Sequence, residues 1–169
     1  MIYIALYRGK SLMSKAIMWL NWSDYSHASL ITSAGTEIEA WAGDGIRGIL
    51  KGGSVREVQF GLQHTSGTHV DVFQAIGLTE RLADRIEARI RTQIGRPYDW
   101  AGVFRFVSRR APVADGDWFC SELVAWAFEQ EGWALLNKPP QKIYPGEIAA
   151  SPKLRKVELR ITHRIERVP

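Results

Sequence analysis

A single cysteine, Cys120, constrains this chain of 169 residues more than any other feature of its sequence. With one thiol no intramolecular disulfide can form, so the fold has to be held together by a hydrophobic core. The composition allows such a core, because 46% of the residues are hydrophobic and 24% are charged. A lone cysteine is either a small buried hydrophobic residue or a reactive thiol, and its sequence context has to separate the two.

The sequence is not divided by a repeat, a low-complexity tract or a linker, and its length is usual for one domain. We therefore predict a single domain over residues 1–169. Apolar periodicity gives the order β-α-β-β-β-β-α-α-β, which is typical of an α+β domain with an antiparallel sheet. The predicted strands are 2–7, 27–31, 36–41, 55–60, 69–75 and part of 154–168, and the predicted helices are 11–21, 79–94 and 118–131, with a further short helix considered at 100–108.

Residues that commonly begin and end helices flank the predicted helices. Ser11, Thr79 and Asp117 are the expected N-caps, and Gly95 and Gly132 are the expected stops. The apolar residues that share one helix face are Leu12, Ala16, Trp19 and Leu20 in the first helix and Leu82, Ile86, Ile90 and Ile94 in the second.

Cys120 lies in the first turn of the predicted helix 118–131. Free N–H groups and the positive end of the helix dipole favour a thiolate there, and the same N–H groups can hold an oxyanion during acyl transfer. An alternative interpretation stays open, because Cys120 shares a helix face with Leu123, Val124, Ala127 and Phe128 and is equally compatible with the core.

His27 and Glu39 are predicted to face each other across a β-hairpin. With the turn near residues 33–35, both fall on one face of the two strands and nearly opposite each other. A carboxylate beside an imidazole fixes its tautomer and raises its basicity, as a catalytic triad requires. Glu37 has the same parity in the strand and is the rival orienting residue.

Tyr98 and Asp99, in the turn GRPYDW, precede the cysteine by about twenty residues. The Tyr98 hydroxyl is a candidate donor to an oxyanion, or else it packs the turn. Asp99 is a candidate anchor for a substrate amine, or else it caps the next helix. Trp41, Trp100 and Trp118 flank the three motifs and predict an aromatic-walled substrate groove.

The remaining sequence features exclude several classes of function. The net charge of +4 is concentrated near the C-terminus, where it is typical of a solvated basic strand edge, and we expect no nucleic-acid partner. His64 and His69 form no metal spacing with His27, so we expect no metal and no cofactor. Segment 11–22 is apolar but contains Lys15 and is too short to span a bilayer.

No small-residue cleavage site follows segment 11–22, so we expect neither a signal peptide nor an integral membrane segment. The expected location is the cytoplasm, although export by phage-type lysis would leave no trace in the sequence.

Taken together, these motifs resemble the NlpC-type branch of the papain-like cysteine peptidases in its circularly permuted form, the YiiX- and YaeF-like group. The matching pieces are YSHASL with His27, EIEAW with Glu39, GRPYDW with Tyr98, FCSELVAWAF with Cys120, and the closing run YPGEIAASPKL at 144–154. The His strand precedes the Cys helix here, whereas the unpermuted family has the opposite order. The resemblance implies a papain-like antiparallel sheet, or small barrel, packed against helices.

The resemblance also implies a thiol amidase or peptidase. Cys120 would attack an acyl carbonyl, His27 would be its base, Glu39 would orient His27, and Tyr98 would line the oxyanion region. The expected substrate is a peptide or a cell-wall fragment. Phe119 stands where the cell-wall peptidases have an Asp that grips the substrate amine, a role that Asp99 could take over.

Two other functions are carried as alternatives. The distant lecithin:retinol acyltransferase-like proteins also place a polar residue twelve positions after the His, as Glu39 is here, which implies an acyl-lipid hydrolase or acyltransferase. A binding module that has kept the fold without activity is the third interpretation.

Overall fold

The computed structural model of the chain describes residues 1–20, 22–43, 52–61, 68–99, 117–161 and 165–167. Its centre is a six-stranded antiparallel sheet with the strand order β4-β3-β2-β1-β5-β6. The strands are β1 (Tyr3–Arg8), β2 (His27–Ile31), β3 (Thr36–Trp41), β4 (Ser54–Gln59), β5 (His69–Ala75) and β6 (Leu154–Val157), while β7 (Leu159–Ile161) and β8 (Ile165–Arg167) form a second, two-stranded sheet.

Four α-helices and one 3₁₀ turn accompany these strands in the described residues. They are α1 (Leu12–Leu20), α2 (Glu80–Arg91), α3 (Cys120–Gln130) and α4 (Pro145–Ala149), with the 3₁₀ turn at Pro140–Lys142. The chain is thus an α+β protein with an open antiparallel sheet. No helix among the described residues combines the length and the apolar character needed to cross a bilayer.

Alternation along the strands gives the sheet two different faces. One face packs against α3 and forms the main core, with buried residues that include Ile4, Leu6, Leu30, Ile38 and Phe73. The other face carries a smaller cluster formed by Tyr3, Ala5, Tyr7, Ile31, Phe60 and Val72. Polar residues of β2 and β3 share this second face, and the candidate site is built on them.

Helix α2 follows its sequence signals closely. The Thr79 side chain accepts a hydrogen bond from the N–H of Leu82, and the chain leaves the helix through Gly95, whose φ of 89° suits glycine. Ile86 and Ile90 are fully buried, whereas Ile94, one repeat further on, lies past the last helical residue and is exposed. The four-residue repeat therefore identified the buried face but extended it one turn too far.

The beginning of α3 differs from the prediction. The first helical residue is Cys120 and the N-cap is Phe119, so the prediction of Asp117 as the cap was wrong. The N–H of Phe119 is instead held by the Glu122 carboxylate at 3.5 Å. Helix α4 was not predicted, and the short helix considered at 100–108 lies outside the described residues.

The buried and exposed members of the α2 repeat provide a stability test. Ile86→Ala should lower the free energy of unfolding by about 2–5 kcal/mol, because it opens a cavity in the core. Ile94→Ala, at a side chain that is 45% exposed, should cost less than about 0.5 kcal/mol. Urea unfolding of the two variants measures the difference, and equal losses would contradict the packing of α2.

Candidate active site

His27 begins β2 and meets Glu39 of the neighbouring strand. Leu30 pairs with Ile38 and Ile31 with Glu37, and the same register places Glu39 across from Ser29, diagonal to His27. The diagonal offset still brings the side chains together, with 2.6 Å between Nε2 of His27 and Oε2 of Glu39. Glu39 is fully buried and His27 is largely buried. The hairpin predicted from the sequence therefore places the two side chains in contact.

Arg56, on β4, completes the surroundings of Glu39 and was not anticipated from the sequence. It pairs with Glu39 across β3 and β4, and its Nε and Nη2 donate to Oε1 at 3.0 and 2.8 Å. The guanidinium also lies over the Trp41 ring, 4.3 Å from its centroid. This fork-shaped contact fixes both the charge and the orientation of the carboxylate. Only the register between β3 and β4 would have revealed it.

The charges of these groups support one another. Burial would raise the pKa of Glu39, but the hydrogen bond and charge of His27, followed by those of Arg56, hold this pKa at about 2. Because the carboxylate is ionised it can only accept, so Nε2 of His27 carries the proton of their hydrogen bond.

The imidazole also interacts with Cys120. Burial would lower the pKa of His27, but the charge and the hydrogen bond of Cys120, followed by those of Glu39, raise this pKa to about 10. The thiol at the start of α3 is therefore in contact with the imidazole at the start of β2. As the first residue of α3, Cys120 also lies at the helix N-terminus, where the helix dipole places positive charge.

Tyr98 and Asp99 are held beside the start of α3 by backbone hydrogen bonds. The N–H of Asp99 donates to the carbonyl of Trp118 at 3.0 Å, and the N–H of Trp118 donates to the carbonyl of Pro97 at 3.0 Å. Burial, the charge of Cys120 and the charge of Asp99 raise the pKa of Tyr98 well above its ordinary value. The phenol thus keeps its proton and remains a hydrogen-bond donor near the sulfur.

The three tryptophans predicted to form a groove are placed differently. Trp41 lies beside the site, with its ring centroid 5.9 Å from that of His27 and nearly perpendicular to it. Trp118 is buried in the core, where it contacts Trp126 and donates its indole N–H to Gln93 at 3.1 Å. The structure thus brings Trp41 to the imidazole but directs Trp118 towards α2. Trp100 lies outside the described residues, as does His64.

Glu37, the rival of Glu39, is also fully buried but has a different environment. Its Oε2 accepts from the Tyr7 hydroxyl at 2.5 Å and from the Ser29 hydroxyl at 2.9 Å. Burial and the charge of Glu37 raise the pKa of Tyr7 far above its ordinary value. The Tyr7 ring in turn lies 5.7 Å from the His27 ring. Glu37 therefore anchors a neighbour of the imidazole, whereas Glu39 contacts the imidazole directly.

The fold occurs in a protein of known structure. The crystal structure of yiiX from Escherichia coli O157:H7, which is described as a metalloprotein, matches this chain with a TM-score of 0.68 at 18% identity. The match covers 92% of this chain and 94% of yiiX. At that identity the likeness concerns the fold, and it agrees at this level with the resemblance to the YiiX-like group. No protein-family model matches the chain, and no curated protein matches it significantly.

The raised pKa of His27 links the site to stability. The pKa of His27 rises from an ordinary 6.5 to about 10 on folding. The stabilisation that the charged imidazole adds to the folded state is therefore complete below pH 6.5 and is lost as the pH rises through 10. The pKa of Glu39 is lowered from 4.5 to about 2, so its contribution is present above pH 4.5 and is lost as the pH falls towards 2.

An NMR titration of the His27 ring tests the contact with the thiol. The midpoint should lie near 10 in the native chain, and Cys120→Ala should move it towards 6.5, because the largest contribution that raises it is removed. Glu129→Gln, which removes an exposed charge from the far end of α3, is the control and should leave the midpoint unchanged. An unaltered midpoint in Cys120→Ala would contradict the contact.

Proposed function

We propose that the chain is a thiol hydrolase of the permuted papain-like kind that cleaves an amide bond in a peptide or cell-wall fragment. The observation that carries the proposal is the continuous row of contacts from Cys120 through His27 and Glu39 to Arg56. A thiol, a base and an orienting carboxylate in that order are the parts of a nucleophilic triad.

The proposed reaction begins when the Cys120 thiolate attacks the carbonyl carbon of the scissile amide. The carbonyl oxygen becomes an oxyanion, and in this proposal the N–H groups at the start of α3 and the Tyr98 hydroxyl stabilise it. The C–N bond then breaks and the His27 imidazolium gives its proton to the leaving amine. An acyl thioester remains on the sulfur. Water, deprotonated by His27, hydrolyses this thioester to release the carboxylic acid and restore the thiol.

Metal chemistry has no place in this proposal, although the fold neighbour is described as a metalloprotein. Among the residues that the structure describes, no three His, Cys, Asp or Glu side chains are grouped so that they could hold a metal. The two oxygens of Glu39 are already engaged by His27 and Arg56. These residues do not fit a metal site, and no step is routed through a metal.

Two other functions each have one observation in their favour. An acyl-lipid hydrolase or acyltransferase is favoured by the apolar surroundings of the thiol, with Phe119 directly before it and Trp41 beside the imidazole. A binding module without activity is favoured by the burial of Cys120, which is 1% exposed. The experiments below separate the three functions.

Alkylation of Cys120 by iodoacetamide tests whether the thiol is activated. Since burial limits the absolute rate, the informative quantity is the ratio of the rates at pH 9 and pH 6 in one protein. An ordinary thiol slows by about two hundredfold over this interval, whereas a thiolate beside an imidazolium should slow by less than about tenfold.

His27→Gln is the matched variant for this measurement, because it removes the imidazolium and leaves the access to the thiol similar. Its ratio should approach that of an ordinary thiol. Mass spectrometry identifies the product without ambiguity because the chain has one cysteine. The same large ratio in the native chain and in His27→Gln would favour the binding module.

Turnover by active-site variants tests the assigned roles. Cys120→Ala and His27→Ala should abolish hydrolysis, and Glu39→Gln should lower kcat by about a hundredfold, less than either, because orientation contributes less than the nucleophile or base. Glu37→Gln, on the same strand and face, is the matched control and should affect the free energy of unfolding more than kcat. Loss of turnover in Glu37→Gln with activity kept in Glu39→Gln would transfer the orienting role to Glu37.

The substrate class is tested with two panels, a library of stem-peptide amides and a set of ester lipids. Cleavage of amides that depends on Cys120 is the expected result. Cleavage of lipids alone would replace the amidase by the acyl-lipid hydrolase. Cleavage of neither, together with an unactivated thiol, would leave the binding module as the better description.

A further inference from the structure

Helix α1 is an apolar helix that exposes a large aromatic side chain to solvent. Of its described side chains none is buried, and Trp19 on its outer side is 76% exposed. Ala16 is exposed on the same side, so both described members of the apolar face predicted from the sequence, Ala16 and Trp19, point to solvent. Ser14 lies on the opposite side, against Gly9, where there is no room for a Cβ atom. The exposure therefore follows from how α1 sits on the protein.

Trp22, just after the helix, is 94% exposed. Its φ of 48° is the one positive value for a non-glycine residue in the described part of the chain. The N–H of Ser23 donates to the carbonyl of Met18 at 2.9 Å, which closes the helix end in the manner that normally requires glycine at the position of Trp22. The left-handed backbone conformation is strained for a tryptophan, and the exposed side chain recovers little of that energy by burial. This combination indicates a functional role for Trp22 rather than a role in packing.

The charges around these two tryptophans favour an anionic surface. Lys10 and Lys15 are exposed on either side of the start of α1, against one carboxylate, Asp24, between residues 9 and 26. The whole chain carries a net charge of +4. Tryptophan and lysine together are the residues enriched where proteins meet the interface of a lipid bilayer.

We propose that α1 and the turn that follows it dock on the surface of an anionic lipid bilayer. The helix has nine residues and is about 14 Å long, so it lies in the interface and does not cross the membrane. Trp19 and Trp22 enter the boundary between headgroups and acyl chains, and Lys10 and Lys15 contact anionic headgroups.

This docking goes beyond the proposed hydrolase and does not depend on it, because none of the four residues belongs to the catalytic group. The proposed docking would nevertheless bring the membrane close to the candidate active site at His27. Helix α1 connects the end of β1 to the start of β2, and Tyr7 of β1 pairs with His27 of β2. The bound surface therefore lies at the end of the sheet where the imidazole is found.

Co-sedimentation with vesicles tests the proposal. The native chain should bind phosphatidylcholine vesicles that contain a third of anionic phosphatidylglycerol, should bind pure phosphatidylcholine more weakly, and should be released by salt. Trp22→Gly should weaken the binding by about tenfold through the loss of one buried tryptophan. Since glycine suits the positive φ at this position, the variant should be at least as stable as the native chain.

Two controls make the result specific. Ile94→Ser removes an exposed apolar side chain from another part of the surface and should bind normally. Cys120→Ala should also bind normally, so that a failed hydrolase assay and failed docking are recognised separately. Binding by Trp22→Gly equal to that of the native chain, or no binding by the native chain, would overturn the proposal. A native dimer that Trp22→Gly converts to a monomer would also overturn it, in favour of contact between two copies.

Discussion

The contact between Cys120 and His27 is the interaction on which the rest of the arrangement depends. It joins the first residue of α3 to the first residue of β2. In the sequence, β3, β4, β5 and α2 lie between these two elements. Helix α3 packs across β2 and β3, so its start is placed next to the imidazole by the same apolar contacts that build the main core. The placement of Cys120 beside His27 is thus a consequence of the packing of α3 against the sheet.

The burial of charge explains why the site extends beyond the thiol and the imidazole. A carboxylate taken out of water destabilises the protein by several kcal/mol unless it is paired. Glu39 is fully buried and is paired twice, with His27 on one oxygen and with Arg56 on the other. Arg56, Glu39 and His27 form a row of alternating charge. Glu39 and His27 each stabilise the charged form of the other, which is why the pKa of His27 is raised and that of Glu39 is lowered.

The sequence was most informative where one periodicity decides the structure. Alternation over 27–41 was enough to predict the hairpin and to place His27 and Glu39 on one face, and the four-residue repeat of α2 identified Ile86 and Ile90 as buried. It was least informative where a contact depends on how separate elements align. Arg56 meets Glu39 only through the register of β3 and β4, which nothing in the local sequence specifies.

Two helices show the limits of local signals. Asp117 has the side chain expected of an N-cap, but backbone hydrogen bonds between Pro97, Asp99 and Trp118 keep this part of the chain extended, so the helix begins only at Cys120. In α1 the apolar pattern correctly predicted a helix, yet the pattern alone gives no indication that Trp19 points to solvent. Whether an apolar face meets the core or an external surface is decided by neighbouring elements.

The two buried glutamates of β3 show how partners, and not burial, assign a role. Glu37 and Glu39 lie two residues apart on the same face and are equally inaccessible to water. Glu37 receives neutral hydroxyl donors from Tyr7 and Ser29, and Glu39 receives the donors of Arg56 and His27. The hydroxyl groups donate hydrogen bonds to Glu37 but are uncharged. Glu39 instead makes a direct hydrogen bond to His27, so its negative charge acts on the imidazole. The difference arises from strand pairing, because β1 and β2 supply the neighbours of Glu37 while β4 supplies the cation beside Glu39.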